Sequence, residues 1–145
     1  MFKHLLVPTD GSPLSDNAAR KAVLLAKSVN AKVTGFHVVP QYHILTLQAE
    51  MLADTEERFA KYGQSHAEQY LSVVEKAAKE AGVPYDSAFA TSDHPYEEII
   101  KAAEERGCDL IAMASHGRRG LRGLLIGSEA QKVLTHSAVP VLVFR

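Results

Sequence analysis

Ile111-Ala112-Met113-Ala114-Ser115-His116-Gly117-Arg118-Arg119-Gly120-Leu121-Arg122-Gly123-Leu124-Leu125-Ile126-Gly127-Ser128-Glu129 opens as the end of an apolar run, becomes a loop with four glycines and three arginines, and closes where a helical pattern begins. A strand that ends in a glycine-rich loop and feeds a helix exposes unpaired backbone N–H groups. The helix dipole favours negative charge at that end. Phosphate is the guest this stretch suits best. Its glycines do not fit GxGxxG, and no GxxxxGK[ST] occurs in the chain, so neither of those phosphate motifs explains it. The alternative is a plain surface loop whose glycines only make turns.

Outward from that stretch, the chain alternates short apolar runs with helical patterns. Lys3 to Val7 suits a strand buried on both faces. Pro8-Thr9-Asp10-Gly11-Ser12-Pro13 breaks it, with Ser12 as a helix cap and Pro13 at the first helical position. Leu14, Ala18, Ala22, Leu25 and Val29 then recur at three and four, and Asn30 ends that helix. Lys32 to Val39 is a second β-rich run, closed by Pro40. From about Leu45 to Ala81 the pattern is helical, with Gly63 marked as a break or kink. Its clearer half carries Ala67, Leu71, Val74, Ala78 and Ala81 before the stop Gly82-Val83-Pro84.

Tyr85 to Thr91 predicts a third strand, and Asp93-His94-Pro95 opens a third helix with Tyr96, Ile99, Ile100 and Ala103 on its inner face. Asp109 to Ala114 is strand four. After Gly127-Ser128 a helix runs to about His136, and Val139 to Phe144 is the last strand. Such alternation predicts an α/β domain with a mostly parallel sheet, helices on both faces and right-handed crossovers.

At 145 residues the chain is read as one domain, residues 1–145. Its 46% hydrophobic and 23% charged residues are ordinary for a soluble globular protein, and no apolar run approaches the ~18 residues of a membrane span. The start has too short an apolar region for a signal peptide and soon reaches Asp10, so a cytoplasmic location is expected. Cys108 is the single cysteine and reads as a structural thiol. A net charge of −1 without a basic stripe argues against nucleic acid as a partner. Among the histidines, His4, His37, His43, His66, His94 and His136 lack metal-ligand spacing, so no dedicated protein metal site is expected.

The run Gly117, nine residues, then Gly127-Ser128 resembles the universal stress protein family, whose nucleotide-binding members carry Gly-x2-Gly-x9-Gly-[Ser/Thr]. Leu5-Leu6-Val7-Pro8-Thr9-Asp10-Gly11-Ser12 and Val139-Pro140-Val141-Leu142-Val143 extend the likeness to both ends. Ala114 stands where the family pattern has its first glycine. The resemblance implies a Rossmann-like open five-stranded parallel sheet in the order 3-2-1-4-5. Strands one and four are then neighbours where the winding reverses, and ligands of open α/β sheets sit at that crevice. The loops Pro8 to Ser12 and Ala114 to Ser128 meet there in that order.

Gly117 and Gly127 would let backbone approach phosphate oxygens, and Ser128 would add a hydroxyl at the helix start. By resemblance, adenine lies near Val38 and the mouth of strand one at Pro8 and Thr9, with ribose against Met113 and Ala114. Asp10 is placed to accept from the adenosine or to lie near a metal carried by the phosphates; its other reading is a turn residue bonded to its own backbone. His116 either touches phosphate or decorates the loop, and Arg118, with Glu129 at the helix start, completes the expected cofactor-binding set. If the backbone at Ala114 must take φ > 0, its methyl group weakens binding; in an extended conformation it is harmless.

Two classes of function follow. The first is an ATP-binding universal stress protein, a cytoplasmic stress-response regulator that holds ATP, AMP or ADP, with Mg carried by the phosphates. With no P-loop lysine and no general base in view, ATP hydrolysis is at most slow, and no catalytic residue is assigned. The second is a nucleotide-independent interaction module. Under both, a homodimer through the C-terminal strand Val139 to Phe144 is expected, since apolar sheet edges invite pairing. An adenylyl-transferring enzyme fits less well, because neither HxGH nor SGGxDS occurs.

Overall fold

The computed structural model describes residues 1–42, 52–117 and 125–145, the side chains of 52–54 excepted. Nine elements alternate in it: β1 (His4–Pro8), α1 (Pro13–Ser28), β2 (Lys32–Val39), α2 (Leu52–Ala81), β3 (Tyr85–Thr91), α3 (Pro95–Glu105), β4 (Leu110–Ala114), α4 (Ser128–His136) and β5 (Val141–Phe144). The five strands form one sheet in the order β3-β2-β1-β4-β5, as the resemblance implies. Every pairing is parallel, with Leu5 opposite Val33 on one side and Leu110 on the other.

The runs of β1, β2 and β4 are buried on both faces because each face meets a helix layer. Leu5, Val7, Val33 and Ala112 pack against Ala19, Ala22 and Val23 of α1 and Val74 and Ala78 of α2. On the opposite face, Leu6, Phe36, Ile111 and Met113 pack against Ile99 and Ala103 of α3 and Ala130 and Val133 of α4. Alanine dominates the buried stripe of α1, at Ala18, Ala19, Ala22 and Ala26, with Leu25 at its margin. Small side chains there let the helix axis lie close to the sheet.

Local signals act as the sequence suggests. The Ser12 side chain accepts from Ser15 N–H at 3.2 Å, Pro13 begins α1, and Asn30 beyond its end adopts φ 57°. Gly82 after α2 has φ 72° and Gly107 after α3 has φ 68°, the left-handed stop that glycine tolerates.

Two expectations change. Gly63 does not break the helix: α2 runs through it, and a Cβ there would lie 2.5 Å from Val39 Cγ1. The glycine lets α2 press onto the end of β2. The last strand begins at Val141 rather than Val139, because Pro140 has no N–H to donate and only its carbonyl joins the ladder, accepting from Ile111 N–H at 2.9 Å. The expected helical stretch 45–51 lies outside the described residues. Among the described residues, no helix is long and apolar enough to cross a membrane.

Candidate functional site

The winding reverses between β1 and β4, and the loops leaving those two strands converge. A side chain on Gly117, just beyond β4, would run into Asp10 Oδ2, just beyond β1. The two loops expected to meet at the carboxyl ends of the strands therefore touch, backbone on one side and a carboxylate on the other.

Its β1 wall is tightly bonded. Thr9 N–H donates to Phe36 O at 2.8 Å, and His37 Nδ1 donates to Thr9 O at 2.8 Å. Thr9 Oγ1 accepts from Ser15 Oγ at 3.0 Å and from Gly11 N–H at 3.2 Å, while Ser15 Oγ accepts from Asp10 N–H at 3.2 Å. Asp10 Oδ1 accepts from Ser12 N–H at 3.0 Å, which is the turn role open to an Asp here, and leaves Oδ2 facing Gly117. Behind this loop the ring of Tyr70 fills the space a Cβ on Gly11 would need, and Gly11 has φ +77°. Tyr70 in turn meets the His37 ring edge-on at 5.1 Å.

The β4 wall folds back on itself. Ser115 N–H donates to Phe144 O at 2.7 Å, and Gly127 N–H donates to Ser115 O at 2.6 Å. A Cβ on Gly127 would lie 3.1 Å from Ser115 O and 3.2 Å from His116 Cα, so only a small residue closes the loop this tightly. Gly127 is the residue before α4 and offers no side-chain cap to its first-turn N–H groups. His116 Nδ1 is 2.9 Å from Ser115 Oγ, and its Nε2 is buried with no hydrogen-bond partner among the described residues.

Strand alternation puts Pro8, Val38 and Met113 on the sheet face that carries Leu6, Phe36 and Ile111. Val38 and Met113 belong to that core, so an apolar floor lies under the crevice mouth. Ala114 is an extended strand residue paired with Phe144, a conformation that needs no glycine. Ser128 is exposed at the first turn of α4. Glu129 turns away to α3: its Oε2 accepts from Tyr96 N–H at 2.9 Å, where His94 supplies no cap. Arg118, Arg119 and Arg122 lie outside the described residues.

Sequence reasoning missed Ser15, Tyr70 and Ser115. Ser15 had a signal, a second hydroxyl three residues after the cap Ser12. Tyr70 had none, because its contact with Gly11 depends on how α2 crosses α1.

Two grooves lie away from this crevice. One of about 520 Å³ lies between the ends of β2 and β3 and the early part of α2, beside Val39, Phe59 and Phe89; another of about 560 Å³ separates α1 from α2 beside Leu24 and Val73. Neither contains a residue of the two converging loops. Burial pushes the Cys108 thiol up to about 11, so it stays protonated at neutral pH. Among the described residues no cluster of three or more His, Cys, Asp or Glu is placed to hold a metal ion.

This architecture defines a doubly wound α/β domain with its crevice at the switch point. Within that class the chain belongs to the universal stress protein family, whose model matches residues 1–145. The universal stress protein YxiE of Bacillus subtilis is 33% identical over 149 aligned residues, which span 100% of this chain and 100% of that protein. The solved structure of MJ0577 from Methanocaldococcus jannaschii superposes with a TM-score of 0.83 at 27% identity, covering 99% of this chain and 95% of that one. The same fold occurs in a universal stress protein solved in complex with cAMP (TM-score 0.72, 24% identity, 99% and 97% covered). It occurs again in an Arabidopsis thaliana family protein with AMP bound (TM-score 0.67, 16% identity, 98% and 90% covered).

Proposed function

We propose that this chain is an adenine-nucleotide-binding universal stress protein, a cytoplasmic stress-response regulator whose ligand is ATP, with AMP and ADP as the smaller forms. The observation that carries this reading is the meeting of Asp10 and Gly117 beside the uncapped start of α4. A phosphate chain is bound by backbone donors and a helix N-terminus, and the uncapped start of α4 supports that reading. The cAMP and AMP found in the two related folds are ligands of the same chemical class.

Magnitudes divide the work between the two ends of the ligand. Helix-end contacts contribute about 0.3 to 1 kcal/mol each when exposed and up to ~2 when partly buried. Micromolar affinity requires roughly 8 kcal/mol. The purine therefore supplies much of the remainder by covering the apolar floor at Pro8, Val38 and Met113. Ribose lies against Met113 and Ala114. The phosphates run past His116 and Gly117 to Gly127 and Ser128, with Arg118 neutralising charge and Asp10 near the adenosine or a phosphate-borne Mg. Glu129 belongs to the same helix start, with its carboxylate engaged at α3. Hydrolysis is at most slow in this reading, since the sequence has no P-loop lysine and the hydroxyl beside His116, that of Ser115, is buried.

Equilibrium binding of labelled ATP to the wild type, Gly117→Val and Gly127→Val tests the site. Loss of affinity in both variants is expected; equal affinity in all three removes it.

A second reading, an interaction module that needs no nucleotide, draws on β5. Among the described residues that strand is paired with β4 on one side only, and its four apolar residues are partly exposed. A homodimer through the segment Val139 to Phe144 fits either reading. Lys at Val141 or Val143 is expected to halve the mass measured by light scattering, and an unchanged mass removes this interface.

A further inference from the structure

His116 holds one ring nitrogen engaged and the other idle. Nδ1 is 2.9 Å from the hydroxyl of Ser115, a residue only 2% exposed, whereas Nε2 is buried and meets no hydrogen-bonding group among the described residues. A buried unpaired imidazole nitrogen is costly unless something arrives to satisfy it. Its location says what arrives. Cδ2, the atom bonded to Nε2, lies 3.7 Å from the Cβ position of Gly127, at the start of α4. The idle nitrogen thus lies beside the positive end of a helix that lacks a side-chain cap.

We propose that Ser115 is a positioning residue of the nucleotide site: its hydroxyl donates to His116 Nδ1 and so fixes the tautomer in which Nε2–H donates to a ligand phosphate oxygen. This rests on the nucleotide reading and adds to it the group that selects phosphate. For the neutral ring, the proton assignment follows from donor and acceptor bookkeeping. A neutral imidazole carries one N–H and one bare nitrogen. A phosphate oxygen at neutral pH only accepts, so a bare Nε2 would face it without a hydrogen bond, and Nε2 must hold the proton. Nδ1 is then the acceptor, and a serine hydroxyl is a donor free to rotate towards it.

Ser115 suits this role because its backbone is fixed on both sides. Its N–H donates to Phe144 O and its carbonyl accepts from Gly127 N–H, leaving the hydroxyl free of structural duty in the strand. The tautomer is therefore set by a residue anchored to β5 and to the start of α4.

The test compares ATP with adenosine, which lacks phosphate, in binding to the wild type, Ser115→Ala, Ser115→Thr, His116→Ala and His116→Gln, with melting followed for each. ATP binding is expected to weaken about tenfold in His116→Ala, a charge-assisted hydrogen bond lost, and less in His116→Gln, whose amide can donate. Ser115→Ala is expected to weaken ATP binding severalfold, with Ser115→Thr near wild type. Adenosine affinity should stay the same throughout. Imidazole nitrogen NMR of the free protein should show His116 protonated at Nε2 in the wild type and a mixture of tautomers in Ser115→Ala, a readout independent of binding and of small changes in stability. Wild-type binding of neither ligand would sink the nucleotide reading itself. Unchanged ATP affinity in His116→Ala, or an Nδ1–H tautomer in the wild type with ATP bound, would overturn the role assigned to Ser115 while leaving the nucleotide site standing.

Discussion

The carboxylate of Asp10 occupies the space that a side chain on Gly117 would take. The two residues leave different strands, and the contact exists because β1 and β4 are neighbours at the point where the sheet reverses. Glycine is demanded at position 117 by the neighbour rather than by its own backbone, since it is not among the glycines with positive φ.

A methyl group at Gly117 must therefore displace Asp10, whose other oxygen is held by Ser12 N–H. Gly117→Ala is expected to cost about 1 kcal/mol, at the low end of overpacking, because the obstructing atom ends a short side chain. In an Asp10→Ala background the same change should cost close to nothing. Urea denaturation of the four proteins in the cycle measures the coupling; equal costs in both backgrounds would show that the two loops do not press on each other.

Gly11 and Gly82 separate two reasons for glycine. Both have positive φ, +77° and +72°, but a Cβ on Gly11 would overlap the Tyr70 ring and one on Gly82 would meet nothing within 4 Å. Gly82→Ala is expected to lose about 1 to 2 kcal/mol, the backbone term alone. Gly11→Ala should lose a further 1 to 3 kcal/mol or so from overpacking. Placing Gly11→Ala in a Tyr70→Ala background should bring its cost down to that of Gly82→Ala. If it does not, the ring is not what excludes a side chain there.

The element order was legible in the sequence because β1 and β4, buried on both faces, are apolar runs, Pro8 and Pro40 mark strand ends, and Asn30, Gly82 and Gly107 mark helix ends. Periodicity could not rank the strands by neighbour, and the order came from the family likeness. The meeting of the β1 and β4 loops was legible once that order was in hand. Contacts between distant side chains were not: nothing local distinguishes Tyr70 behind Gly11, Glu129 turned to α3, or Val39 against Gly63. Ser115 lay inside the quoted stretch and was passed over because its hydroxyl matters only through the ring beside it. The break expected at Gly63 has the same origin, since a helix breaker and a close contact use the same residue.

That difference is measurable at Gly63. Within α2, alanine has the better helix propensity by about 1 kcal/mol, so a mere tolerated glycine would give a more stable Gly63→Ala protein. A Cβ 2.5 Å from Val39 Cγ1 predicts the opposite, a loss of about 1 to 3 kcal/mol as the helix or the valine shifts. Trimming Val39 to alanine should turn Gly63→Ala from harmful to neutral or favourable. A Gly63→Ala protein that melts above the wild type would restore the propensity reading.

At the opposite end of the sheet from the crevice, His4 makes stability depend on pH. The residue is 8% exposed, and its Nε2 is 2.7 Å from Thr34 Oγ1. Burial, then the charge of Lys32, hold its pKa below the ordinary 6.5, with Asp109 opposing more weakly. The unfolded chain then binds more protons than the native one over the interval between the lowered value and 6.5. The contribution of neutral His4 is fully present above 6.5 and is lost as pH falls through the folded value, with a slope of at most about 1.4 kcal/mol per pH unit for one proton. His4→Gln keeps a polar group for Thr34 and removes the titration. Urea midpoints between pH 7.5 and about 5 should fall more steeply for the wild type than for His4→Gln. Parallel curves would mean that His4 takes up its proton as readily in the native sheet as in the unfolded chain.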